Sequence, residues 1–215
     1  MKNLNKLKGK FITFEGGEGA GKSTQSKKLV EYLNNNNIET VWTREPGGCE
    51  DAEEIRKLLI SGGKDRWDGI TELLLMYAAR RVHTEKKIKP LLQKGITVIS
   101  DRYLDSTLAY QGFASDIPVE TINSVRNIVL GDFRPDLTVI LDLEPQIGLN
   151  RVDIRGVKNR FEDKDFIFHQ KVRKGFDYIY NNEKEIRNFI KIDVEDKNID
   201  ELFEIIVEKI CENIK

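Results

Sequence analysis

Gly16-Gly17-Glu18-Gly19-Ala20-Gly21-Lys22-Ser23 spells a complete G-x-x-x-x-G-K-[ST] loop, with Thr24 directly after it. Such a loop handles phosphate. Its glycines let backbone N–H groups converge on a polyphosphate, Lys22 reaches the outer phosphates, and the Ser23 hydroxyl can ligate Mg2+. An ordinary glycine turn would look similar in isolation. Here, however, a β-branched and aromatic run at 10–14 precedes the loop, and a helical pattern at 22–34 follows with Leu29, Val30 and Leu33 on one face. Strand, loop and helix together predict a nucleotide-binding site.

Other charged groups sit where they could serve the same ligand. Asp101-Arg102 follows an apolar run, so Asp101 suits a magnesium or water ligand opposite Ser23, and Arg102 would face a second anion. Thr43-Arg44-Glu45-Pro46-Gly47-Gly48 places an arginine and a carboxylate before a turn that glycines keep open to a ligand. In a long helical pattern, Met76, Arg80 and His83 share a face apart from the stripe of Ile70, Leu73, Leu74 and Tyr77. An arginine one turn from a large apolar side chain could clamp a flat base. Residues 150–162 interrupt two helices with four basic side chains, among them Arg155 and Arg160, as a lid over transferring phosphates would need. Neither His83 nor His169 has a nucleophile nearby, so both are read as core or surface residues.

These groups need a frame that gathers them. Apolar runs at 39–43, 96–100, 137–141 and 189–192 join the first as strands. Helical patterns cover 52–60, 69–93, 118–130, 145–152, 165–181 and 199–214, with Asp116 as a cap for the third of these. Strands alternating with long crossovers predict an α/β fold: a five-stranded, mostly parallel sheet with helices on both faces. Ligands in such sheets collect at the carboxyl ends of the strands, where Glu15, Arg44, Asp101 and Asp142 all fall.

Composition narrows the class further. The 215 residues suit a single domain over 1–215, with the lid at about 150–163. Charge is balanced, 35 basic against 36 acidic residues, which argues against nucleic-acid or membrane-surface partners. Two distant cysteines, Cys49 and Cys211, suggest neither a disulfide framework nor a zinc site. With no signal-like or membrane-length apolar stretch, a reducing cytoplasm is the default expectation.

Taken together, the motifs resemble the thymidylate kinase family across nearly the whole chain. The likeness runs from Phe14-Glu15-Gly16 and the loop through Thr43–Gly48, Tyr77-Ala78-Ala79-Arg80, Asp101–Thr107, Ala109-Tyr110-Gln111-Gly112 and Pro135–Thr138. It implies a P-loop nucleoside monophosphate kinase fold and transfer of the ATP γ-phosphate to dTMP for dTTP synthesis. The loop from Gly16 to Thr24 would hold ATP, with Mg2+ on Ser23 and Asp101. Glu18 would lie near the acceptor and its metal-bound waters. Arg44 and Arg102 would grip the dTMP phosphate beside Glu45 and Pro46. Arg80 would bond the thymine, Thr107 and Gln111 would line its pocket, and Tyr110 would stand against the sugar 2′ position. Because Gly19 is not an arginine, the resemblance assigns the catalytic arginines to the lid, as Arg155 and Arg160. It also implies a homodimer. Three positions depart from the family wording: Met76 replaces a stacking Phe, Asn159 an Asp, and Cys49 a Thr. A deoxynucleoside kinase and a non-catalytic nucleotide-binding regulator of the same fold are the alternatives.

Overall fold

In the computed structural model, which describes residues 4–63, 65–156 and 160–214, five strands form one sheet. They are β1 (Phe11–Gly16), β2 (Thr40–Arg44), β3 (Thr97–Asp101), β4 (Leu137–Asp142) and β5 (Phe189–Asp193). Every pairing is parallel and the order is β2-β3-β1-β4-β5, so the expected α/β architecture is present. Between them run α1 (Lys22–Asn35), α2 (Glu50–Ile60), α3 (Gly69–His83), α4 (Lys89–Gln93), α5 (Leu104–Thr107), α6 (Val119–Leu130), α7 (Pro145–Arg155), α8 (Phe166–Glu183) and α9 (Ile199–Asn213).

Strand alternation divides β1 between two cores. Ile12 and Phe14 pack with Leu29 and Leu33 of α1 and Ile206 and Ile210 of α9. Phe11 packs on the other face with Leu73 and Tyr77 of α3 and Val172 and Phe176 of α8. Glu15 points the same way as Phe11, which brings a buried carboxylate under the α3–α5 side of the sheet. Among the described residues, no helix is long and apolar enough to cross a membrane.

The structure departs from the sequence expectations at four places. The helix expected over 69–93 is interrupted by a π-helical stretch, Thr84–Ile88, just before Pro90, whose ring lacks the N–H that an α-helix would use there. Residues 104–114, given no element from sequence, form α5 and a second π stretch, Leu108–Ala114; Gly175 of α8 packs so closely beneath it that a Cβ would lie 2.8 Å from the Ala109 Cα. Asp116 does not cap α6: its N-cap is Pro118, and Asp116 pairs with Lys171 at 2.7 Å. Finally, the apolar stripe of α3 is rotated. Ile70 and Leu74 are 48% and 55% exposed, whereas Glu72, Arg80 and His83 turn inward with Leu73 and Tyr77, because their polar groups find buried partners.

Candidate active site

The glycine loop is shaped by backbone contacts that exclude side chains. At Gly16 (φ +137°), a Cβ would lie 2.3 Å from the Leu141 carbonyl oxygen. Gly19 (φ +69°) and Gly148 of α7 exclude each other's side chains: a Cβ on Gly19 would be 2.3 Å from the Gly148 oxygen, and one on Gly148 would be 2.2 Å from the Glu18 oxygen. Gly21, the N-cap of α1, offers no side-chain cap, which leaves the first N–H groups of the helix facing the loop.

The groups that the sequence assigns to phosphate are satisfied within the protein. Lys22 curls back so that Nζ donates to the Gly17 carbonyl at 2.6 Å. Burial lowers its pKa to about 8; Arg102 adds to the effect, and Glu18 and Asp101 only partly offset it. Ser23 donates to Asp101, so the two proposed metal-binding oxygens lie together. A hydroxyl and a carboxylate beside a phosphate loop are hard donors that fit Mg2+, which keeps waters and phosphate oxygens as its other ligands. Arg102 sits at the end of β3 with φ +68°, a left-handed conformation that costs a non-glycine residue about 1 kcal/mol or more. Its Nη2 donates to Glu18 at 2.8 Å, its Nη1 to the Gly16 carbonyl and to Ser106 Oγ, each at 3.1 Å, and it lies over the Tyr110 ring. Tyr110 donates to the same Glu18 oxygen at 2.7 Å. Burial alone would raise the Glu18 pKa; Arg102 and Lys22 outweigh it and hold the carboxyl at about 2. Glu15, three residues earlier, is pushed up to about 7 by burial and by Asp105.

The opposite end of the cavity is held differently. Arg80, 2% exposed, donates through Nε to Glu45 at 2.6 Å, through Nη1 to Thr107 Oγ1 at 2.8 Å and through Nη2 to the Tyr103 carbonyl at 2.8 Å. Burial opposes its charge, but Glu45 more than compensates and raises its pKa. Two of its five N–H bonds remain for an acceptor in the cavity. Gln111 donates to Glu72 at 3.3 Å, and Met76 faces the same space. Arg44 is held by both oxygens of Glu53 at 3.1 Å, and Arg56 donates to the Pro46 carbonyl at 2.7 Å.

One cavity of about 890 Å³ joins these two ends, with Glu18, Lys22 and Ser23 at one side and Met76, Arg80 and Gln111 at the other. Trp42 and Arg56, which the sequence left without a site role, also line it, as do Arg151 and Phe161 of the segment read as a lid. Arg151 donates to the Gly19 carbonyl at 3.3 Å and borders a second groove of about 800 Å³ that runs from the loop to the turn after β5. Arg155 ends α7, and its side chain lies outside the described residues, as does all of Asn159. Arg160 is wholly buried, donating to Glu72 at 2.6 Å and to the Leu59 carbonyl at 3.0 Å.

The family model for thymidylate kinase matches residues 14–206. The chain belongs to the thymidylate kinase family. The thymidylate kinase of Caulobacter vibrioides is 51% identical over 168 residues, covering 78% of this chain and 81% of that protein. That of Magnetococcus marinus is 44% identical over 190 residues, 88% of this chain and 90% of that one. A crystal structure of thymidylate kinase from Ehrlichia chaffeensis superposes with a TM-score of 0.74 at 34% identity, covering 95% of this chain and 99% of the other. Like other thymidylate kinases, this chain phosphorylates dTMP to dTDP, and its family implies ATP as the donor.

Proposed function

We propose that the two ends of the cavity divide the substrates. The loop with Lys22 takes the ATP phosphates, the second groove under Arg151 takes the adenosine, and Arg80 with Gln111, Thr107 and Met76 takes thymine. The single observation that carries this reading is the continuous cavity between Lys22 and Arg80. The dTMP phosphate then lies between Arg102 and Arg44, with Glu45 and Pro46 beside it. Tyr110, buried against Glu18, stands at the sugar. An oxygen of that phosphate attacks the γ-phosphorus as the bond to ADP breaks, and the protein supplies position and charge neutralisation. Mg2+ on Ser23 and Asp101 would neutralise charge on the ATP phosphates. Among the lid arginines, Arg155 lies one turn beyond Arg151 on α7 and is our choice for the transferred phosphate; the burial of Arg160 against Glu72, which also binds Gln111, favours an acceptor-side role.

The chain acts as one domain with a lid at about 150–163, in a reducing cytoplasm. It pairs with a second copy through the exposed apolar side chains Leu58, Ile70 and Leu74 of the adjoining α2 and α3. The deciding assay is ADP release from Mg-ATP with dTMP, dUMP, UMP, CMP and thymidine as separate acceptors. Fastest turnover with dTMP is expected, and a faster rate with CMP or UMP overturns the thymine assignment.

A further inference from the structure

Arg80 can select a base only if its guanidinium is held still, and its holder, Glu45, is itself held. Glu45 uses one carboxylate oxygen for Arg80 Nε; the other lies 2.9 Å from Nδ1 of His83. A carboxylate oxygen only accepts, so His83 Nδ1 carries a proton and donates it. The Nε2 of His83 pairs with the Thr43 hydroxyl at 2.7 Å. His83 is fully buried, and Gly48 packs across the histidine–threonine contact: a Cβ there would lie 2.4 Å from Nε2 and 2.6 Å from Thr43 Oγ1. The chain Thr43–His83–Glu45–Arg80 thus runs from β2 through α3 to the cavity, buried from water at Thr43 and His83 and meeting the cavity at Glu45 and Arg80.

We infer that His83 is a positioning residue for base recognition, acting through Glu45 to fix the donor directions of Arg80. The inference rests on Arg80 being the base contact. A guanidinium offers only donors, so it favours a base with a carbonyl at the ring position where cytosine carries an amino group. His83 sharpens that choice without touching the substrate.

The test measures kcat and KM for dTMP, dCMP and ATP in wild type, His83→Gln, His83→Asn and Arg80→Gln. Glutamine can keep the Thr43 contact but leaves Glu45 Oε1 without its donor; asparagine can restore that donor. We expect His83→Gln to raise the dTMP KM about tenfold and to erode the dTMP-over-dCMP preference by a similar factor, with the ATP KM within about twofold of wild type. His83→Asn should recover most of both. If Arg80→Gln loses the preference and His83→Gln keeps it, the positioning role falls while the base assignment stands. If Arg80→Gln keeps the preference, the base assignment itself fails. Equal rises in both KM values with a lowered melting temperature would mark His83 as merely structural. Should His83→Gln not fold, Thr43→Val removes the hydroxyl at Nε2 with little change of shape; a selective rise of about threefold in the dTMP KM supports the role, and no change overturns it.

Discussion

The two ends of the cavity are built on opposite plans. At the proposed base end, Arg80 is fixed by Glu45, Thr107 and the Tyr103 carbonyl. At the proposed phosphate end, Lys22 rests on a loop carbonyl, Ser23 on Asp101 and Arg102 on Glu18, partners that ligand oxygens would displace or share. One end is fixed by partners from several elements, as shape selection would require; the other is a charged, self-satisfied set whose partners phosphate would replace.

Substitutions should separate the two plans. The largest effect is expected for Lys22→Ala, about a hundred- to a thousandfold loss of kcat with little change in melting temperature, checked by ADP release and thermal melts. A large loss of stability instead would mean that Lys22 supports the fold rather than acting on substrate alone. Arg155→Ala should come next, lowering kcat about a hundredfold while leaving the dTMP dissociation constant near wild type. Arg160→Ala should instead raise that dissociation constant, as calorimetry can read.

Glu18 of the loop and Glu15 of β1 give a comparison in pH. Glu18, held at about 2 against an ordinary value of 4.5, stabilises the fold above pH 4.5, and that contribution is lost as pH falls towards 2. Glu15, raised to about 7, does the opposite: its contribution is complete below pH 4.5 and is lost as pH rises through 7. Glu15→Gln should therefore flatten the fall in melting temperature between about pH 4.5 and 7, and Arg102→Met should move the acid-side loss of stability to higher pH. An unaltered profile in Glu15→Gln removes that carboxyl as the source. The smallest effect is expected for Met76→Phe, which should tighten dTMP binding about two- to fivefold through stacking, read by calorimetry. A weaker complex would mean that Met76 does not lie along the base.

The phosphate end was legible in the sequence because its residues are consecutive. Gly16 to Ser23 and Asp101-Arg102 each declare their chemistry within one short segment, and parallel strands bring those segments to one rim. The supports of the base end come from distant segments. His83 reads as a bland helix residue, and nothing local ties it to Glu45. Periodicity placed Ile70 and Leu74 inside α3, since it cannot see that Glu72, Arg80 and His83 have buried partners. Arg151 lay within a basic run, but only the contact between α7 and the glycine loop distinguishes it from its neighbours.

That same contact couples two places in the chain that a reader of the sequence would treat as independent. Because Gly19 and Gly148 meet backbone to backbone, neither position can accept even a methyl group without moving the other. In a saturation library, Gly148 should show the intolerance of the nucleotide loop rather than that of its own helix. A gain-of-size change at one position would need compensation from the segment that carries the other, so the loop and the start of α7 are constrained to vary together.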